Sequence, residues 1–267
     1  MRILFIADII GRPGREVVKN MLPEIVEEEN VQFVIANCEN AAGGFGVTPK
    51  ISREVFSAGV DAITMGNHVW ARREILEIIE EANILRPANF PPGVPGKGCT
   101  IIQAGNGVKV GIINLMGRVF MSTLECPFRT ADGIIEEVSK QTKIIVVDMH
   151  AEITSEKVAM GWYLDGKVSA VIGTHTHVPT ADERILPQGT AYITDVGMTG
   201  PLDSIIGIKK EIILKKYLTQ MPLRFEVAKD DLVFAGAVVE IEEKTGKARN
   251  IKRISKAFEG EIEENGE

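Results

Sequence analysis

Five short apolar runs punctuate the first two thirds of the chain: Ile3–Ala7, Phe33–Ala36, Ala62–Met65, Ile144–Val147 and Ala170–Ile172. Most lack the polar alternation of a half-exposed strand, so they read as strands covered on both faces. Other stretches change to a helical period. From Glu16 to Glu29, Val17, Val18, Met21, Leu22, Ile25 and Val26 fall on one stripe, with Pro23 as a site for a kink. Glu74–Glu81, Ile134–Lys140 and Ser155–Leu164 repeat the pattern, the last weakened by Gly161. Two pairs of runs read as hairpins. Thr100–Gln103 and Lys109–Asn114 flank Asn106-Gly107, and Leu232–Glu242 and Ala248–Ile254 flank Lys244-Thr245-Gly246. The pattern predicts an α/β protein with parallel βα units early and antiparallel hairpins later. Two packed sheets with helices outside satisfy it. No linker or repeat divides the chain, so one domain over residues 1–255 is expected, with residues 256–267 as an acidic tail that frays.

The residues that end each apolar run carry the chemistry. Ile3–Ala7 ends at Asp8. Phe33–Ala36 ends in Asn37-Cys38-Glu39-Asn40, and Ala62–Met65 in Gly66-Asn67-His68. Ile144–Val147 ends in Asp148-Met149-His150, and Ala170–Ile172 in Gly173-Thr174-His175-Thr176-His177. Ligands bind at the carboxyl ends of strands in open α/β sheets. A lone histidine is more often structural, but here all four histidines of the chain follow a strand pattern. Imidazole, carboxylate and amide oxygen without thiolate suit Fe, Mn, Co, Ni or Zn. A metal pair needs a bridging ligand and separate terminal ligands. Asp and Glu bridge readily, whereas His does not. Asp8, Glu39, Asn40, Asn67, His150, His175 and His177 are enough for two metals that keep positions open for water and substrate.

Composition narrows the partner. The 267 residues are 45% hydrophobic and 25% charged, which is ordinary for a globular domain, and the net charge is −7. A duplex nucleic-acid binder would carry a basic face. Aromatics make up only 6% and no basic, aromatic-rich stretch is visible, which weakens a nuclease that grips single strands. A small anionic substrate stays open, because a metal pair reverses the local charge. The apolar run Ile3–Ile10 is broken by Asp8 and is too short for a signal or a membrane span. Cys38, Cys99 and Cys126 form no CxxC pair, so a reducing cytoplasm is expected.

The ordered motifs resemble the calcineurin-like metallophosphoesterase superfamily: an Asp after the first strand, an acidic residue after the second, Gly-Asn-His after the third, a later His, then a His-x-His segment. Three departures stand out. Asp8-Ile9-Ile10 replaces the usual Asp-x-His, Glu39-Asn40 replaces Gly-Asp, and Thr174 separates Gly173 from His175. These departures resemble the YmdB-like bacterial branch. So do Asp8 to Arg15, Asn37 to Gly44 and Asp195 to Pro201, and the likeness runs from Arg2 to about Arg253. The resemblance implies a four-layer α/β/β/α sandwich of two mixed sheets and two transition-metal ions, commonly iron or manganese. It implies hydrolysis of 2′,3′-cyclic nucleotides at the 2′ bond. It places Asp8 and His177 on the first metal, Glu39 between the two, and Asn40, Asn67, His150 and His175 on the second. His68 is left as general acid. The absent first-motif His removes a usual ligand of the first metal.

The chemistry stands beside the resemblance. A bound metal pair neutralises a phosphodiester and supplies hydroxide near neutral pH, while the leaving alkoxide needs a proton. His68 sits next to Asn67, and an ordinary imidazole pKa of ~6.5 suits a donor. The rival role is a hydrogen bond to a phosphate oxygen. Substrate contacts are less marked. Gly11-Arg12-Pro13-Gly14-Arg15 precedes a helix and reads equally as an anion contact through Arg12 or as a tight turn. Gly43 and Gly44 either admit substrate or only permit positive φ. Thr199, in Gly197-Met198-Thr199-Gly200, is a candidate substrate contact. Arg118 reads as a surface charge and Asp148 as structural support. Two other readings remain: a phosphomonoesterase or nuclease of the same superfamily, and a metal-containing regulatory, nucleotide-sensing protein with little turnover. Edge strands leave a homo-oligomer open.

Overall fold

The computed structural model describes residues 1–81 and 83–260, and all structural statements concern these residues. The chain first lays down β1 (Arg2–Ile6), β2 (Asp8–Ile9), β3 (Phe33–Asn37), β4 (Ala62–Thr64) and β5 (Ile84–Leu85). A second sheet follows, from β6 (Cys99–Gln103), β7 (Lys109–Met116), β8 (Ile144–His150), β9 (Ala170–Thr174), β10 (Arg184–Ile185) and β11 (Ala191–Ile193). The chain then returns to the first sheet with β12 (Met198–Pro201), β13 (Leu232–Ile241) and β14 (Ala248–Phe258). The first sheet runs β2-β12-β13-β1-β3-β4-β5, with β14 on β13, and the second runs β10-β11-β9-β8-β7-β6. Both are mixed. β1, β3, β4 and β5 are parallel, as are β7, β8, β9 and β11 and the β2–β12 pair, while β13 lies antiparallel to β1, β12 and β14, and β6–β7 and β10–β11 are antiparallel hairpins.

The alternation of each strand sorts the core into three layers. Ile3, Phe5, Phe33 and Ile35 face Ile112, Ile144, Val146 and Ile172 between the sheets. Their neighbours Leu4, Ile6, Val34 and Ile63 point the other way, against α1 (Gly11–Glu28) and α2 (Pro49–Ser57) through Val17, Leu22, Ile25 and Val55. On the far side Ile113, Ile145 and Val147 meet α3 (Pro127–Val138) and α4 (Thr154–Leu164) through Ala131, Ile135, Met160 and Leu164. The result is the expected α/β/β/α sandwich. Strands buried on both faces explain why the runs carry no polar positions.

Several expectations change in detail. β8 continues through Asp148 to His150, so these residues lie in the strand, not after it. The helix expected over Glu74–Glu81 is only a short 3-10 turn, Arg73–Glu77. Ile75, Ile78 and Ile79 are buried all the same, so their spacing served docking to the core. α1 begins five residues before Glu16. Pro13 sits in its first turn, where a missing N–H costs nothing, so Gly11 to Arg15 is a helix start. α2 was not foreseen, although Thr48 caps it by accepting from Ile51 N at 3.4 Å and Pro49 occupies its first turn. α5 (Lys210–Thr219) was also missed. β14 reaches Phe258, so its last three residues fall in the expected tail, and residues 261–267 lie outside the described residues.

Candidate metal centre

The parallel strands of both sheets end at one edge of the sandwich, and that edge gathers the predicted side chains. Asp8, Glu39 and His150 have no exposed surface. Glu39, His150 and His175 bring one ligand atom each to within 4.8 Å of one another. His150 Nε2 lies 3.1 Å from Glu39 Oε1, 3.1 Å from Asn67 Oδ1 and 3.1 Å from His175 Nδ1. His177 Nε2 lies 3.4 Å from Asp8 Oδ2 and 3.0 Å from Asn40 Nδ2. All seven proposed ligands and His68 therefore belong to one contact network. Asn40 departs from its expected grouping with Asn67, His150 and His175. Its amide bridges His177 and His68, with Oδ1 2.9 Å from His68 Nδ1, because the turn after β3 carries it to the Asp8 side.

The outer nitrogens of three imidazoles are already engaged. His150 Nδ1 donates to Thr174 Oγ1 at 2.8 Å, and that hydroxyl donates to Asp148 Oδ1 at 2.7 Å. His175 Nε2 faces Glu152 Oε2 at 3.0 Å, and His177 Nδ1 donates to the Ile206 carbonyl at 2.9 Å. In the neutral ring each such bond leaves the lone pair on the inner nitrogen, the usual arrangement around a metal. The inner nitrogens converge on one another and on carboxylates. Asp8 Oδ1 and Glu39 Oε1 are buried without a hydrogen bond. Two buried carboxylates are costly unless positive charge meets them, and among the described residues only imidazoles lie close enough to supply it. The protein's own charges show the same demand. Burial disfavours a charged His150, yet Glu39 and Asp8 lift its pKa to about 9. Burial and the neighbouring His150 push His175 down to about 3. The donor set is nitrogen and oxygen only, which fits iron, manganese or zinc.

Gly66 leaves the space. A Cβ there would lie 2.1 Å from His150 Nε2 and 2.4 Å from Glu39 Oε2. Gly66→Ala is expected to cost about 1–3 kcal/mol through overpacking and to lower metal content. Thermal melting together with metal analysis of the purified variant checks this, and an unchanged metal content would contradict the placement.

Sequence reasoning missed the supports. His175 and His177 adopt positive φ, 101° and 64°, which non-glycine residues hold only when their surroundings impose it. A buried ion pair imposes it here. Asp195 Oδ2 accepts from Lys157 Nζ at 2.7 Å and from Thr176 N and Oγ1 at 3.1 and 2.8 Å, and Lys157 Nζ also reaches the Thr174 carbonyl at 3.2 Å. Lys157 is 1% exposed. It shares the buried stripe of α4 with Met160, Gly161 and Leu164, and a lysine in such a stripe is the signal that could have found it. Asp148 does the structural work expected. It accepts from Thr64, Thr174 and Asn37, while burial raises its pKa to about 6.

The candidate substrate contacts divide. Thr199 is wholly buried in β12, and Ala235 uses its hydroxyl both ways, at 3.0 and 3.1 Å, so it braces the sheet and cannot touch substrate. Gly43 and Gly44 have φ of 63° and 98° beside Asn40, so they serve the turn that aims its amide. Arg12 lies in the first turn of α1, on the wall of a groove between α1 and α2. Arg118 is exposed, as expected.

A family model described as YmdB-like protein matches residues 4–254. The chain is 53% identical over 255 residues to a Bacillus subtilis (strain 168) protein named 2′,3′-cyclic-nucleotide 2′-phosphodiesterase, covering 95% of this chain and 96% of that one. A solved structure of a hypothetical protein from Thermus thermophilus superposes with a TM-score of 0.91 at 42% identity, over 96% of this chain and 99% of that one. A phosphatase from Mycoplasma pneumoniae superposes with a TM-score of 0.90 at 34% identity, over 96% and 93%.

Proposed function

The chain belongs to the YmdB-like protein family, and from that membership and its cluster of bare ligand atoms we propose that it is a metal-dependent phosphodiesterase that opens 2′,3′-cyclic nucleotides at the 2′ bond. The observation that carries the reading is the convergence of three imidazoles, each engaged on its outer nitrogen, on the two buried carboxylates Asp8 and Glu39. Asp8 and His177 would hold one metal ion, and Asn67, His150 and His175 a second. Glu39 would lie between them, with Asn40 beside His177. Two iron or manganese ions suit this donor set, and when bound they supply charge neutralisation and a water of lowered pKa.

The chain's own residues do the rest. His68 N donates to Glu39 Oε2 at 3.0 Å, which pins the residue at the rim of the cluster. Its Nδ1 faces Asn40 Oδ1, so an imidazolium keeps its Nε2 proton for the leaving 2′ oxygen. His68→Ala is expected to keep its metals and lose about 10²–10⁴-fold in turnover. Elemental analysis beside a hydrolysis assay tests it, and loss of the metals would make His68 a ligand.

The wider test is anaerobic purification with metal analysis, then a panel of 2′,3′-cyclic, 3′,5′-cyclic, linear diester and monoester substrates. Fast turnover of 2′,3′-cyclic substrates to 3′-monophosphates supports the proposal. Turnover of monoesters alone sinks it, and metal-loaded protein inert on the whole panel favours the regulatory reading. No helix among the described residues is long and apolar enough to cross a membrane. Three free cysteines fit a reducing cytoplasm.

A further inference from the structure

Two phenylalanines meet at the rim of the metal centre. The Phe45 ring lies 4.9 Å from the His68 imidazole, centroid to centroid, and stands at 84° to it. The Phe225 ring lies nearly parallel to Phe45, at 22° and with 6.4 Å between centroids. Phe225, with Lys216 Nζ 4.5 Å from its ring centre, braces Phe45. His68 itself belongs to the ligand network, with Nδ1 3.3 Å from Glu39 Oε1, so the aromatic pair adjoins the centre directly. All three rings keep part of their surface in solvent. The His68 side chain is 30% exposed, and Phe45 and Phe225 are only partly buried.

Backbone contacts hold both rings in place. Ala42 N donates to the Gly46 carbonyl at 2.9 Å, closing the turn that presents Phe45. Arg72 grips that turn, with Nη2 on the Ala42 carbonyl at 2.9 Å and Nε on the Phe45 carbonyl at 3.2 Å. Phe225 precedes a segment that pairs with residues 207–209. Lys209 N donates to the Glu226 carbonyl at 2.9 Å, and Ala228 N to the Gly207 carbonyl at 3.0 Å. The neighbouring Ile206 carbonyl accepts from His177 Nδ1 at 2.9 Å. A Cβ on Gly44 would lie 3.5 Å from Val227 Cγ2, so this segment packs on the turn. The aromatic pair is thus tied to His68 on one side and to His177 on the other, before any ligand arrives.

We propose that Phe45, braced by Phe225, is the surface on which the base of a 2′,3′-cyclic nucleotide stacks, and that this contact sets a preference for nucleotides over cyclic phosphates without a base. This rests on the phosphodiesterase reading and on His68 as donor to the leaving 2′ oxygen. In such a substrate the base is joined to the ribose carbon next to the one that bears the 2′ oxygen. When that oxygen lies at His68, the base lies within reach of what flanks His68, and Phe45 is that flank. Stacking on an aromatic ring tolerates any base, because every base has a π face. Phenylalanine offers no hydrogen bond that would read a base edge. Purines and pyrimidines are therefore both used, with purines favoured by their larger stacked area.

The test compares 2′,3′-cyclic AMP with 1-O-methylribose 2′,3′-cyclic phosphate, which lacks the base, using metal-loaded protein. The wild type is expected to favour the nucleotide about tenfold in kcat/KM, as one stacked base allows. Phe45→Leu is expected to shrink that preference to about twofold or less, through a raised KM for the nucleotide and not a lowered kcat. Phe45→Trp is expected to restore it, and Phe225→Leu to weaken it in the same direction. Equal use of both substrates by the wild type, or a full preference kept in Phe45→Leu, overturns the platform. An equal loss of turnover on both substrates in Phe45→Leu also overturns it, because the ring then only props His68. Calorimetric titration with adenosine 3′-monophosphate and with ribose 3-phosphate supplies an arm independent of turnover. Tighter wild-type binding of the adenosine compound, lost in Phe45→Leu, supports the platform even if cyclic diesters are not hydrolysed, a result that would sink only the activity reading. Equal wild-type affinity for the two ligands overturns the platform.

Discussion

Glu39→Gln is expected to lower turnover by at least about 10³-fold and to reduce bound metal. The glutamine keeps the size of the side chain and an acceptor for the His68 N–H now bonded to Glu39 Oε2. What it loses is the charge that lies 3.1 Å from His150 Nε2 and 3.3 Å from His68 Nδ1. Glu39 is held ionised against its burial by His150 and His68, so its anion is built into the site. A neutral amide would also turn an NH₂ group toward nitrogens that already converge. Metal ions supply several kcal/mol of charge stabilisation in such chemistry, and about 4 kcal/mol corresponds to about 10³ in rate. Elemental analysis and single-turnover assays on the folded variant decide it. Full metal content with turnover within tenfold of wild type would remove Glu39 from the centre.

Lys157→Met should destabilise the protein by about 3–5 kcal/mol, because it leaves the Asp195 carboxylate buried without its cation. The expected fall in melting temperature is on the order of 10 °C. Burial already raises the pKa of Asp195 against the pull of Lys157, which shows how little the surroundings tolerate the bare charge. The damage would extend to the metal centre. Asp195 and Lys157 clamp Thr174 and Thr176, and the clamp holds His175 and His177 at positive φ. Removing a support behind metal ligands costs about 10–100-fold in metal affinity. Adding Asp195→Asn to Lys157→Met should recover part of the stability, since the stranded charge is gone, and little of the affinity. Calorimetry and competition with a chelator separate the two effects. A single variant with unchanged melting and unchanged metal retention would show that the clamp plays neither part.

The candidate ligand set was legible because each member sits within a few residues of a strand, and a strand buried on both faces is a strong local pattern. Asp8, Glu39, Asn67, His150, His175 and His177 follow or end such runs, so their convergence needed only the rule that parallel strands end at one edge. The two hairpins were legible for a related reason, since the turn residues lie between the runs they join. The helix expected over Glu74–Glu81 failed because apolar spacing reports which side chains are buried, and a 3-10 turn with irregular chain buries Ile75, Ile78 and Ile79 just as well.

Contacts between distant segments were not legible. Thr199 reads as a candidate substrate contact, and only its pairing with Ala235, across the return of the chain to the first sheet, fills its hydroxyl. Asn40 was grouped with Asn67, His150 and His175 on the resemblance alone, and its place between His68 and His177 comes from the turn through Gly43 and Gly44. The Lys157–Asp195 clamp joins α4 to the segment before β12. The sequence by itself determined the layered core and the set of candidate ligands that meet at one edge, because local hydrophobic patterning fixes where strands run and end. Tertiary structure alone decided which groups support those candidate ligands, because buried charge pairing exists only after residues far apart in the chain are packed together.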